Sequence, residues 1–176
     1  HFMTEEKFNV VILDVADFKL INGTYGTKKG NEVLVYLSNA FRYYVKNGLL
    51  TRYEGDQLLG LFHSNEKLDI DRINKNINKI AEEAPIPNIR IKVGVYENVD
   101  TTLSMPIICD RALMAEKSIS KDFKTNVAFY TDELNQKQLA QRQMENDFKS
   151  AIANKEFKVY YQPKYDVQTE HIVGAE

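Results

Sequence analysis

Two aspartates stand at the ends of strand-like runs and could hold a metal ion. Asp14 follows the apolar run 8–13, and Asp56 lies in the turn between the runs 49–53 and 58–62. Two carboxylates on neighbouring strand ends can bind Mg²⁺ when substrate phosphates complete its coordination. Such a metal would polarise a phosphoryl group. The alternative is that both acids only form turns or cap helices.

Several basic and amide side chains near turns could bind a phosphorylated ligand. The lysines that follow a turn, or lie on a helix near one, are Lys19, Lys28, Lys29, Lys117 and Lys121. Asn22 and Asn31 could hydrogen-bond to the edge of a base, although beside glycines they suit turns and helix caps equally well. For each lysine the alternative is a solvated surface side chain. Neither the P-loop pattern nor the Rossmann glycine pattern occurs, so those nucleotide sites are not supported.

The elements that must position these side chains alternate between strands and helices. Apolar, β-branched runs predict strands at residues 8–13, 89–95 and 127–130, besides the two strands of the hairpin. Apolar residues at helical spacing predict helices at 17–22, from Gly30 to the Asn47-Gly48 stop, at 68–84 and at 107–119. The order βααββαβαβ predicts an α/β domain with a mixed central sheet of about five strands and flanking helices.

The C-terminal part of the chain has a different character. Residues 133–153 are polar with sparse apolar anchors, which predicts a connecting helix. Strand-like runs at 157–163 and 171–174 follow, with a turn at 166–170. Because two strands cannot form a core of their own, residues 154–176 are predicted to begin a second domain. The expected division is a domain at 5–132, a connecting helix at 133–153 and a truncated domain at 154–176.

Composition limits the class of protein. Of the 176 residues, 43% are hydrophobic and 27% charged, as in soluble globular proteins. The net charge of −2 gives no basic field for binding nucleic acid. The single cysteine, Cys109, excludes an intramolecular disulfide and suits a reducing cytosol. We expect a cytoplasmic domain, whose parent protein could be attached to a membrane.

Three segments together resemble the GGDEF family of bacterial diguanylate cyclases. They are residues 13–34, the hairpin with its motif Glu54-Gly55-Asp56-Gln57-Leu58, and residues 109–117. The resemblance covers about residues 5–132 and implies a fold related to nucleotidyl cyclases and polymerase palm domains. Residues 157–176 resemble the start of an EAL phosphodiesterase domain, which implies a tandem protein of cyclic di-GMP signalling.

The resemblance also implies roles for individual residues. Asp14 and Asp56 match metal ligands that would hold Mg²⁺ together with GTP. Asn22 matches a guanine-contacting asparagine, and Asn31 stands where the family has an aspartate that accepts from guanine. The other candidates are Gly55 in the turn beside the nucleotide, Lys19 and Lys117 near the phosphates, and Lys121 where an arginine is usual.

Departures from the family pattern fall in the hairpin motif. Glu54 replaces the first glycine and brings a negative charge towards an anionic triphosphate. Gln57 replaces the fourth-position acid, and an amide neither takes a proton nor matches a carboxylate as a Mg²⁺ ligand. As a turn, the motif predicts a type II conformation with Glu54 at i+1 and Gly55 at i+2. The Arg-x-x-Asp feedback motif, expected at residues 45–48, is absent.

Three hypotheses about function follow from this pattern. The leading one is a cyclase-inactive GGDEF domain that senses GTP or otherwise regulates an attached EAL domain. In that case this chain is not itself an enzyme, and its parent is a cyclic di-GMP phosphodiesterase. The first alternative is an active diguanylate cyclase that joins two GTP molecules across a homodimer. The second is an interaction or dimerisation module that binds no nucleotide.

Overall fold

The computed structural model describes residues 7–45, 48–63, 68–119 and 125–176. The elements before residue 130 are β1 (Phe8–Val15), α1 (Phe18–Tyr25), α2 (Thr27–Arg42), β2 (Leu49–Arg52), β3 (Leu58–His63), α3 (Ile70–Glu82), β4 (Ile91–Tyr96), α4 (Met105–Lys117) and β5 (Val127–Phe129). The predicted order βααββαβαβ is confirmed. The predicted α/β class with a mixed five-stranded sheet is confirmed as well.

Among the described residues, the central sheet has the strand order β2-β3-β1-β4-β5. Strand β1 lies in the middle and is antiparallel to both β3 and β4, whereas β4 and β5 are parallel. The run of β1 is continuously apolar because a central strand is covered on both faces. Its burial fixes the register of the neighbouring strands.

The two faces of the sheet are covered by different helices. Side chains alternate along a strand, so Val11, Leu13 and Val15 point to one face and Val10 and Ile12 to the other. The first face packs against α2 and α3, through buried residues such as Val33, Leu37, Ile77 and Ile80. The second face packs against α4, through Ile108, Cys109 and Ala112. Helix α4 therefore covers the side of the sheet that also carries Asp14.

Local sequence explains where the helices begin and end. Gly26, with φ of +82°, separates α1 from α2, and its N–H donates to the carbonyl of Asn22. Asp69 caps α3, because its carboxylate accepts from the backbone N–H groups of Asp71 and Arg72 at 2.9 and 3.1 Å. The predicted helices are confirmed, with shifts of a few residues at their ends.

Two sequence expectations about the strands need correction. Asp14 does not follow β1 but lies inside it, because β1 continues to Val15 and pairs with β4 over that length. The run 157–163 is not a strand as a whole. The strand there, β6, spans Pro163–Tyr165, where it pairs with Ile172–Ala175, and Gln162 exchanges backbone hydrogen bonds with Glu176 just before it.

The C-terminal residues 136–176 form a second compact unit, and the first unit ends at residue 135. Helix α5 (Asp132–Ala153) has no buried residue, and β6 pairs with β7 (Ile172–Ala175). In the turn before β7, the Asp166 carboxylate accepts from the N–H groups of Gln168 and Thr169. The expected domain boundaries at residues 132 and 153 remain predictions. Within the described residues, no helix is both long and apolar enough to span a membrane.

Gly94 permits the close packing of α4 on β4, and this can be tested. A Cβ atom at Gly94 would lie 2.1 Å from the Ala112 carbonyl oxygen and 2.3 Å from the Glu116 nitrogen, both of which are backbone atoms. We expect Gly94→Ala to lower the free energy of unfolding by about 1–3 kcal/mol, measured by urea denaturation. The matched control is Gly23→Ala, where nothing lies within 4 Å and helix propensity favours alanine. Equal stability of the two variants would contradict this packing.

Candidate functional site

The hairpin between β2 and β3 presents Asp56 on a tight turn. The Gln57 N–H donates to the Glu54 carbonyl at 2.8 Å, so the turn comprises residues 54–57 with Gly55 at its second position. The predicted type II turn is therefore wrong in its register. Gly55 has φ of +55°, which a residue without Cβ adopts at little cost. The Arg52 side chain donates to the Gly55 carbonyl at 2.7 Å and fixes the turn.

Three of the predicted site residues line one surface pocket. Asp14, Lys19 and Asp56 surround a space of about 400 Å³, together with Val15, Asp17, Phe18 and Leu20. The pocket lies at the start of α1, where first-turn N–H groups lack partners within the helix. Burial raises the pKa of the Asp56 carboxyl, and the charge of Asp14 adds to the rise. The structure thus brings the two aspartates of the sequence prediction into the same pocket.

A row of polar side chains crosses the sheet beside this pocket. The Gln57 amide nitrogen lies 3.5 Å from Asp14 Oδ1, a long hydrogen bond. The ammonium of Lys92 lies 3.2 Å from Asp14 Oδ2 and also binds the carboxylate of Glu116. The sequence of groups is therefore amide, carboxylate, ammonium, carboxylate. We call these four residues the polar row.

Strand register and helix packing bring the polar row together. Asp14 and Lys92 are directly paired on β1 and β4. Gln57 immediately precedes Leu58, which pairs with Leu13. Glu116 comes from α4, which lies directly over Gly94, the next residue of β4 on the same face as Lys92. All four side chains consequently share the sheet face that α4 covers.

Burial makes the Lys92–Glu116 pair strong. The Glu116 side chain is only 3% exposed, while those of Lys92 and Asp14 are 21% and 17% exposed. Burial opposes the charge of Lys92, but its contacts with Glu116 and Asp14 outweigh that effect and raise its pKa. Burial also raises the pKa of Glu116, and the hydrogen bond from Lys92 partly offsets the rise. The attraction of the ammonium to the two carboxylates offsets part of the cost of burying Glu116.

The other predicted site residues lie elsewhere. Asn22 on α1 packs its side-chain oxygen against Gly30, one residue before the exposed Asn31 of α2. The exposed Lys117 ends α4, next to Glu116. Lys121 lies outside the described residues. The two asparagines therefore lie near the α1–α2 junction, where Phe18, which also lines the pocket of Asp14, approaches Gly30.

Sequence reasoning missed Lys92 and Glu116. Lys92 alternates with Arg90 on the more polar face of the predicted strand 89–95, at the period-2 position that shares a face with Gly94. Glu116 continues the buried stripe of α4, four residues after Ala112. A charged residue in each of two buried elements, β4 and α4, could have suggested an ion pair between them. Which residues pair depends on the sheet register, which the sequence did not supply.

A family model described as "Diguanylate cyclase, GGDEF domain" matches residues 1–121 of the chain. The chain belongs to the GGDEF family. This GGDEF domain is similar to the bifunctional diguanylate cyclase/cyclic di-GMP phosphodiesterase MucR of Pseudomonas aeruginosa, with 21% identity over 98% of this chain and 26% of MucR. It is 25% identical to the signaling protein YkoW of Bacillus subtilis, over 96% of this chain and 22% of YkoW. The chain thus spans about a quarter of the length of these relatives.

Solved structures support the fold of the GGDEF domain. The active GGEEF domain of a diguanylate cyclase from Vibrio cholerae aligns with a TM-score of 0.55 and 21% identity, over 72% of this chain and 84% of that one. An EAL/GGDEF domain protein from M. capsulatus aligns with a TM-score of 0.59 and 21% identity, over 74% and 89% of the two chains. At these identities the likeness concerns the fold.

The Mg²⁺ ion implied by the resemblance does not fit the arrangement at Asp14. Both oxygens of that carboxylate already face donors, from Lys92 and Gln57. An ammonium and a divalent cation on one carboxylate would repel each other. Within the described residues, no group of three or more His, Cys, Asp and Glu side chains could hold a metal ion. The predicted ligand roles of Asp14 and Asp56 thus remain predictions that this geometry argues against.

Replacing Lys92 in the GGDEF domain should reduce its stability, because the buried carboxylate of Glu116 would lose its charged partner. We expect Lys92→Met to lower the free energy of unfolding at pH 7 by about 3–5 kcal/mol, measured by urea denaturation. The double variant Lys92→Met/Glu116→Gln should recover most of that loss, because the buried side chain at residue 116 then carries no charge.

The control for this prediction is an exposed ion pair. Lys79 and Glu83 lie 3.9 Å apart on the surface of α3, with side chains 71% and 62% exposed. Lys79→Met should change the stability by less than about 1 kcal/mol. If Lys92→Met proves as mild as this control, Glu116 does not depend on Lys92.

Proposed function

We propose that this GGDEF domain has no cyclase activity and acts as a regulatory module for an attached EAL phosphodiesterase. The observation that carries the proposal is the contact between Gln57 and Asp14. At the position of the family's fourth acid, the chain offers an amide that donates to the neighbouring carboxylate. That group accepts no proton at neutral pH and cannot act as a general base.

The remaining acid of the motif supports the same conclusion. Asp56 stands on the turn with Glu54 exposed two residues before it. A triphosphate approaching this turn would meet both carboxylates, whose charges oppose its own. The fold of a cyclase is therefore kept while the groups that would promote the reaction are altered. An active cyclase, as a homodimer with one GTP on each subunit, is the alternative that these residues disfavour.

The attached EAL domain is supported by the C-terminal residues. The match to MucR, which is described as having both activities, covers 98% of this chain and so extends into residues 136–176. Strands β6 and β7 form a pair whose side chains are all exposed. Two strands need further elements to bury a core. We propose that these residues begin an EAL domain, with α5 as the connection.

Guanine-nucleotide sensing is a second candidate function. It is favoured by the pocket that Lys19 lines at the start of α1, because such helix ends accept phosphate groups. Asn22 and Asn31 at the α1–α2 junction are amides that could recognise a base edge. The GGDEF domain of DgcB from Caulobacter crescentus, which aligns with this chain, was solved in complex with c-di-GMP, a guanine nucleotide.

The absence of cyclase activity can be measured directly. We expect no cyclic di-GMP above the protein-free blank when the 176-residue chain is incubated with GTP and either Mg²⁺ or Mn²⁺, because Gln57 cannot take a proton. Product is quantified by liquid chromatography with mass spectrometry, and Asp56→Ala is the matched control. Cyclic di-GMP that forms with the wild type and disappears with Asp56→Ala would overturn the proposal.

Nucleotide sensing has its own test. If the second candidate is correct, calorimetry detects GTP binding, and Asn31→Ala weakens it about fivefold, because one hydrogen bond is worth about 1 kcal/mol. Asn31 is exposed, so its loss should leave folding intact. Gln136→Ala, an exposed amide on α5, is the matched control and should bind as the wild type does. Absence of GTP binding would leave a regulatory domain that acts through protein contacts alone.

A further inference from the structure

We infer that the Lys92 ammonium takes the place of a divalent metal at Asp14, so that this domain excludes Mg²⁺ from the pocket. The inference goes beyond the proposed function, because it holds whether or not a guanine nucleotide binds. It concerns Lys92 and Glu116, to which the resemblance assigned no role.

The carboxylate of Asp14 already has two donors within the protein. Lys92 approaches Oδ2 at 3.2 Å, and Gln57 approaches Oδ1 at 3.5 Å. A Mg²⁺ ion binds carboxylate oxygens directly and demands near-octahedral geometry. It would have to displace at least one of these donors. Lys92 is the donor that matters more, because it carries a positive charge, which it shares with Glu116.

Lys92 is not free to leave, because Glu116 holds it from the other side. The Glu116 carboxylate is buried under α4 and binds the same ammonium. If Lys92 swung into solvent, a buried carboxylate would lose its partner, which is strongly unfavourable. The strand pairing of Asp14 with Lys92 also keeps the ammonium beside Asp14. A metal arriving at Asp14 would therefore meet a cation that stays in place.

Asp56 and Asp17 are the carboxylates left on the pocket wall, and the sequence assigned only Asp56 to a metal. Lys19 lines the same wall with a positive charge, which opposes a divalent cation. Magnesium is usually bound by one or two carboxylates together with substrate phosphates. With Asp14 paired to Lys92, only Asp56 of the predicted ligand pair remains available. Any anionic ligand of this pocket would then bind without a divalent metal.

A titration with Mn²⁺ in the absence of nucleotide tests the inference. Free Mn²⁺ is measured by electron paramagnetic resonance with the 176-residue chain. We expect no difference between the wild type and Asp14→Asn, because Asp14 is not available to the metal. The double variant Lys92→Met/Glu116→Gln frees Asp14 and should bind Mn²⁺ at least about tenfold more tightly than the wild type. Adding Asp14→Asn to that variant should abolish the gain.

The control is Lys79→Met/Glu83→Gln, the same pair of substitutions at the exposed ion pair of α3. It should bind Mn²⁺ as the wild type does. Wild-type binding that depends on Asp14 would overturn the inference, and so would a double variant that binds no more tightly than the wild type. If the double variant does not fold, the broadening of the wild type's amide NMR signals by Mn²⁺ tests the inference instead. Selective broadening of the amide signals of Asp14 and Val15 by Mn²⁺ would then overturn it.

A parallel titration with GTP separates this inference from the proposed function. If GTP binds, its dissociation constant should be the same within about twofold in Mg²⁺ and in EDTA, because the metal has no place at Asp14. Tightening by Mg²⁺ that requires Asp14 would overturn the metal exclusion but leave nucleotide sensing intact. Absence of GTP binding would instead remove nucleotide sensing and leave the Mn²⁺ result standing.

Discussion

The ammonium of Lys92 lies between the carboxylates of Asp14 and Glu116. The arrangement of the polar row, on the sheet face that α4 covers, depends on this contact. A carboxylate buried under a helix needs a charged partner, because its desolvation costs several kcal/mol. Lys92 supplies that partner from the adjacent strand. Gly94 lets α4 approach closely enough for the two groups to meet. Three features therefore depend on one another: the packing of α4, the pairing of β1 with β4, and the charge at Asp14.

This contact also separates fold from chemistry. The chain keeps the sheet, the hairpin and the order of elements that its family shares, yet it uses the charge of Asp14 internally. A carboxylate that compensates a lysine is a poor metal ligand, just as an amide at Gln57 is no general base. A fold can host several functions, and the residues of the site decide among them. The proposal of a regulatory role rests on these residues.

Much of the fold was predictable because it follows from local patterns. The period-2 and helical patterns predicted the order of elements, and the apolar run of β1 predicted a central strand. Element ends were less certain, as the position of Asp14 inside β1 shows, because pairing with a neighbour extends a strand beyond its apolar run. The turn at Gly55 shifted by one residue, since the hairpin register decides which carbonyl accepts the closing hydrogen bond.

The sequence by itself determined the fold class, the family and the altered hairpin motif, because these depend on residue types at fixed spacing along the chain. It also identified Asp14 and Asp56 as acids that would meet. Only the tertiary structure decided what Asp14 does, because Lys92 and Glu116 are remote in the chain and distant from the motif. Their meeting depends on the register of β1 with β4 and on the closeness of α4 to Gly94. Both are properties of packing between elements, and no local pattern specifies them.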